Sequence, residues 1–214
     1  GQDEDPTNYY PYESGMYYSF NYGTAHIVVL NTNLADNATG LSEAQIEWLK
    51  SDLTANADAQ WKFVLMHKSL YSAGSHSYDG DIAAMRRQLV PLFYEYGVDV
   101  VFGGHDHTYT VTQLLDGEGN PTGTTLGKDG VLSASEDGVL YVTLGTVGTK
   151  FYNYMENPDI AGAFDRENSI SSTLTLPTFA KITVNGDTLT FTGYTVNEDG
   201  TLSKIYNEPG DDLL

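Results

Sequence analysis

Two short apolar runs each end in histidine. Phe63-Val64-Leu65-Met66 delivers His67, and Val98-Asp99-Val100-Val101-Phe102 leads through Gly103-Gly104 into His105-Asp106-His107. Runs this short and this apolar suit strands buried on both faces. Helical patterns precede and separate them. The first has Ser42 as N-cap, Gln45 at the capping-box position, Leu41 and Ile46 as a hydrophobic staple, and Ile46, Leu49 and Leu53 as its apolar face. The second is predicted over 81–96, with a stripe of Ile82, Met85, Leu89, Leu92 and Phe93 and with Gly97 as its stop. Pro91 falls inside it and should kink or split it. Alternating helices and buried strands predict a parallel α/β sheet, whose strand ends normally gather the chemistry. His67, His105 and His107 stand at those ends.

The rest of the chain divides by character. Residues 1–15 read as an irregular lead-in, and 16–115 as the α/β part with the histidine motifs. Within that part, 16–20 and 25–30 are predicted strands around a turn at 21–24, 68–80 is a loop, and 108–115 is a strand. Residues 116–138 look like a turn-rich insertion, and 139–214 form a β-rich C-terminal part. In the latter, a strand over 139–144 and a polar excursion over 152–172 precede antiparallel strands at 179–184, 189–196 and 202–206, with Asn185-Gly186 as a tight turn. At 214 residues the chain fits one domain, or one with a small appendage.

Composition narrows the function classes. A net charge of -19 repels polyanions, which argues against a nucleic-acid groove or an anionic-membrane patch. No cysteine is present, so disulfides and thiolate zinc sites are ruled out together. No run approaches transmembrane length. Such a chain suits a secreted or cell-surface protein. The acidic cluster 208–212 lacks an ordered ligand spacing and reads as a solvated tail, not a calcium site.

Histidine is the commonest metal-ligating side chain, and alternate residues in an extended segment can reach two neighbouring ions. His67, His105 and His107 are therefore the candidate metal ligands. Gly103-Gly104 predicts a tight exit and a close approach just before them. His26, inside the strand 25–30, reads as structural. Asp106 should point away from its neighbours, as a turn residue or as a carboxylate that orients the ligating imidazoles.

The segments Val64-Leu65-Met66-His67 and Gly104-His105-Asp106-His107 resemble two motifs of the calcineurin-like metallophosphoesterases, and among them the purple acid phosphatases. The resemblance extends over Tyr17-Tyr18-Ser19-Phe20 through Val28-Val29-Leu30-Asn31, over Leu41-Ser42 through Trp48-Leu49, and over Tyr141–Gly145, covering roughly residues 16 to 155. It implies the C-terminal half of an α/β sandwich, with mixed sheets flanked by helices and antiparallel β at the C-terminus. It also implies that His67 and His105 bind one metal and His107 the other. The parent would hold two divalent or trivalent ions (iron, zinc or manganese) about 3.5–4 Å apart and hydrolyse phosphate monoesters by metal-bound hydroxide. His76 falls where the resemblance places a substrate-facing histidine, which would contact phosphate or protonate the leaving alcohol. The family often has two adjacent histidines there, whereas here His76 is followed by Ser77. A solvated loop histidine is the alternative. Tyr71 and Lys68 are candidates for lining the same pocket.

The family's upstream motifs, which supply the bridging aspartate and the asparagine ligand, do not occur; Gly80-Asp81 and Gly186-Asp187 are not followed by fitting residues. The expectation is a C-terminal part of a longer catalytic domain. It should be inactive alone, hold zero or one metal, and need its N-terminal half as partner. Its substrate would be a phosphorylated small molecule or a phosphoprotein. Two other classes stay open: a non-catalytic acidic binding module, and a mononuclear metal protein using the three histidines.

Overall fold

The computed structural model describes residues 15–134 and 136–207. All but the last residue of the predicted lead-in, and the acidic cluster 208–212, lie outside them. Strands β1 (Tyr18–Tyr22) and β2 (Ala25–Leu30) pair antiparallel, with Gly23 at φ 61 in the turn. Helix α1 (Glu43–Ala55) begins as predicted, the Ser42 hydroxyl accepting the Gln45 N–H at 3.3 Å. The Gln45 side chain does not close the capping box. It accepts the Asn31 N–H at 2.8 Å and donates to the Asn31 carbonyl at 3.0 Å, fastening the helix start to the end of β2.

Strand β3 (Trp61–Lys68), helix α2 (Gly80–Glu95) and strand β4 (Val100–Gly104) complete the α/β part. Helix α2 runs unbroken through Pro91. Proline removes one bond to the carbonyl four residues earlier, that of Arg87; both residues are exposed, so water can take that carbonyl. Strand β4 starts two residues later than predicted and includes both glycines, which leaves His105 as the first residue past it.

Strands β5 (Tyr109–Val111) and β7 (Leu140–Leu144) finish a six-stranded sheet of order β1-β2-β3-β4-β7-β5. Its four central strands are parallel and its two edges antiparallel. A second sheet contains β6 (Val131–Ser133), β8 (Thr178–Asn185), β9 (Thr188–Val196) and β10 (Leu202–Lys204), all pairing antiparallel with β9. The stretch 116–138 is thus no free-standing insertion: β6 pairs with β9, and Leu126 and Leu132 enter the core. The β8–β9 turn is also shifted by one residue. Asn185 pairs with Thr188, so Gly186 and Asp187 form the loop, with Gly186 at φ 60.

The core has two parts, one on each face of the first sheet. Val28, Val64, Met66 and Val101 pack with Leu49, Met85, Leu89 and Phe93 of the two helices. On the other face Trp61, Phe63, Val100 and Val142 pack with Leu189 and Phe191 of the second sheet, and the Trp61 indole donates to the Gly186 carbonyl at 2.8 Å. Further along the strands the second sheet no longer covers this face. Val29, Leu65, Phe102 and Leu144 there line an open cleft of about 480 Å³, and His67 stands in its wall.

Candidate metal centre

His67 and His105 reach one place from neighbouring parallel strands. The β3–β4 register shifts between Leu65 and Lys68, just where His67 leaves the ladder. Beside it β4 comes unusually close: a Cβ on Gly103 would lie 2.7 Å from the Ser69 Cα, so only glycine fits. Gly104 has ordinary room, its nearest neighbour being the His67 carbonyl at 3.6 Å. The sharp exit falls on His105 itself. Its φ is 71, and the Asp106 N–H donates back to the Gly104 carbonyl at 2.9 Å. An i→i+2 bond around a positive-φ residue is the rarer and more strained hand of γ-turn. The glycine pair thus supplies the close approach, while the predicted tight exit belongs to the histidine.

That turn aims the His105 ring at its neighbours. His105 Nδ1 lies 3.1 Å from His67 Nε2, and the His105 ring centroid is 4.0 Å from that of His76. Burial first, and then the neighbouring His76 and His67 imidazoles, push the His105 value below that of an ordinary histidine. A neutral ring keeps a lone pair free for a cation. Two imidazole nitrogens converging without an intervening acceptor suit a transition-metal ion.

His76 sits in a short 3-10 turn, Ser75–Tyr78, with its Nδ1 2.8 Å from Asp79 Oδ2. A carboxylate can only accept, so Nδ1 carries the hydrogen and Nε2 is left as the working nitrogen. His107 is fixed in the same way, its Nδ1 donating to the Lys150 carbonyl. Its ring stacks on Tyr152 at 4.5 Å, and Tyr152 also reaches His76 at 5.9 Å. Tyr152 therefore joins His107 to the other three histidines. Lys150 Nζ lies 4.9 Å over the same tyrosine and adds a cation to the rim.

Some expectations change. Asp106, 1% exposed, accepts from the Ser72 hydroxyl at 2.5 Å and the His76 N–H at 3.3 Å; it fastens a loop rather than orienting a ligating imidazole. Tyr71 is not a pocket residue. It is buried between Arg86 and Tyr141, and burial pushes its hydroxyl up to about 12. Lys68 pairs with Asp81 in the first turn of α2. His26 is structural as expected, 1% exposed and tied to Asn21 at 2.7 Å and Asp52 at 2.8 Å.

Asp79 and Tyr152 escaped the sequence reading. His76, Asp79 and His105 each place a donor atom within 4.8 Å of the others, and among the described residues this is the only such three-residue group. The i, i+3 spacing of His76 and Asp79 could have flagged the carboxylate. Tyr152 had no local signal, because a segment more than 40 residues downstream of His107 brings it in.

The sequence pattern of the calcineurin-like phosphoesterases matches residues 3–109, half of the chain. The chain belongs to that family. Over 98 residues it is 40% identical to purple acid phosphatase 23 of Arabidopsis thaliana, covering 45% of this chain and 20% of that protein. An uncharacterized protein of Mycobacterium tuberculosis is 30% identical over 154 residues, covering 65% of this chain and 29% of its own length. The solved purple acid phosphatase of yellow lupin seeds superposes with a TM-score of 0.51 at 19% identity, over 88% of this chain and 31% of that one. That likeness concerns the fold. The chain spans between a fifth and a third of the length of these relatives.

Proposed function

We propose that this chain carries the histidine side of a phosphoesterase site that hydrolyses phosphate monoesters. His67 and His105 would hold one metal ion and His107 a second. The observation that carries the reading is the 3.1 Å convergence of His67 Nε2 on His105 Nδ1 at the ends of parallel strands. When bound, two such ions polarise the phosphoryl oxygens and activate water. The chain's own residues do the rest. Asp79 accepts the Nδ1 hydrogen of His76, and in the imidazolium form the Nε2–H points free to contact the phosphoryl group or to pass its proton to the departing alkoxide, leaving the neutral ring. The Lys150 carbonyl fixes His107 in one tautomer, and the Lys150 ammonium offsets part of the acidic surface for an anionic substrate.

The remaining ligands would come from an upstream part of the same domain, and the chain alone would be inactive. The substrate would be a phosphorylated small molecule or a phosphoprotein, met in a secreted or surface setting. No helix among the described residues is long and apolar enough to cross a membrane.

The test is metal content by elemental mass spectrometry after exhaustive dialysis. We expect zero or one ion per chain, and no hydrolysis of p-nitrophenyl phosphate until the upstream part is supplied; H105A should then abolish activity while the fold is kept. Two ions per isolated chain would overturn the half-site reading. A second reading, a mononuclear metal protein, draws on the grouping of His76, Asp79 and His105. It predicts one tightly held ion that D79A releases, whereas the half-site reading predicts that H67A, not D79A, lowers metal content.

A further inference from the structure

We infer that Asp106 is a positioning residue, whose buried carboxylate seats the loop 72–77 and thereby sets where His76 stands against His105. Its bearing on catalysis rests on the proposed role of His76 toward the phosphate ester.

Three independent observations meet at this carboxylate. Asp106 is 1% exposed, and a carboxylate so buried must be hydrogen-bonded to stay there. Both oxygens are bonded to one loop: Oδ2 accepts from the Ser72 hydroxyl at 2.5 Å and Oδ1 from the His76 N–H at 3.3 Å. Between those two residues lies Gly74, where a Cβ would fall 2.3 Å from the Asp106 Cγ and Oδ1. Only glycine lets the loop backbone close on the carboxylate.

The loop in turn is stiff. The Ser77 hydroxyl and N–H both donate to the Gly74 carbonyl, at 2.7 and 3.2 Å, and the Asp79 N–H donates to the His76 carbonyl at 2.9 Å. A displacement at Gly74 therefore carries His76 with it.

The other end of the link is equally fixed. The Asp106 backbone N–H is bound to the Gly104 carbonyl across the strained His105 turn. One residue thus joins the turn that aims His105 to the loop that carries His76, and the two rings meet at 4.0 Å. Groups acting on one substrate atom need their spacing held to a fraction of an ångström, and a shift of about 1 Å can cost on the order of 100-fold in rate.

The experiment has two readouts. In the 214-residue chain, ring-proton nuclear Overhauser contacts between His76 and His105 are measured for wild type, D106A, D106N and S72A. We expect the contact to be lost in D106A, weakened in S72A, and largely kept in D106N, whose amide oxygen can still accept. S72A keeps the buried charge and tests the link even if D106A does not fold. Unchanged contacts in S72A and D106A would overturn the inference.

In protein that includes the upstream ligands and is loaded with zinc, kcat for p-nitrophenyl phosphate is measured for D106A, H76A and the double variant. D106A should lower kcat at least tenfold with metal content unchanged, and should cost nothing further in the H76A background. Independent, multiplying losses would overturn it. A wild type that hydrolyses no phosphate ester would sink the proposed function, while the ring contacts would still decide the role of Asp106.

Discussion

His105 shows how much one residue can carry. It offers a ring nitrogen to the site and also occupies a backbone conformation, φ 71, that L-residues avoid. Alanine at this position would lose the ring and keep the strain, whereas glycine would lose the ring and relax the turn. H105G should therefore be more stable than H105A by about 1 kcal/mol in urea denaturation, with both unable to bind metal. Equal stabilities would mean that the γ-turn does not form in solution. Part of this was legible. Two glycines before a histidine announce a tight approach, and Gly103 makes it against Ser69. The sequence could not say that the turn itself falls on the histidine, because the two glycines before it accept a positive φ far more readily than histidine does.

Strand pairing adds a device invisible in the apolar pattern. Asp99 interrupts a hydrophobic run just before β4, and its carboxylate accepts the Lys62 N–H at 2.6 Å at the second residue of β3. The Asp99 N–H donates to the Lys62 carbonyl and its own carbonyl accepts from Leu140, so this residue ties three strands at their starts. Burial raises its carboxyl to about 6, outweighing the Lys62 N–H and charge that lower it. Since the folded value lies above the ordinary one, the protonated acid is the form that folding favours. This contribution is full below about pH 4 and fades as pH rises through 6. D99N should keep the acceptor and remove the titration. Its stability relative to wild type should rise between pH 4 and pH 7, by on the order of 2 kcal/mol. Parallel denaturation curves across that range would show that Asp99 titrates normally. The elements themselves were readable wherever periodicity was strong: β2, β3, both helices and the β8–β9 hairpin. Strand β6 was not, because three residues carry too little pattern and are recruited by β9 from more than fifty positions downstream.

At the scale of the molecule, coverage of the central sheet is uneven, and this governs how the isolated chain should behave. Residues 61, 63, 65 and 67 alternate onto one face of β3. The second sheet covers Trp61 and Phe63 but leaves Leu65 36% exposed beside His67. Leu65, Val29, Phe102 and Leu144 form one apolar cleft, and β1 adds Tyr18 and Phe20, both about half exposed, at the sheet edge. Contiguous apolar surface of this kind invites association. A net charge of -19 opposes it by repulsion between chains, and salt screens that repulsion within about 10 Å at 0.1 M. The two effects make a joint prediction. At low salt the chain should be monomeric, and sedimentation should show increasing self-association as salt rises to 0.5 M. Leu65→Ser should suppress that association and reduce the binding of an apolar dye. Because Leu65 is only partly covered, the substitution should lower stability by no more than about 1.5 kcal/mol. Dye binding unchanged in this variant would place the sticky surface elsewhere, with the β1 aromatics next in line. A loss of several kcal/mol would mean that Leu65 is packed in solution, and that the cleft beside His67 is closed even in the isolated chain.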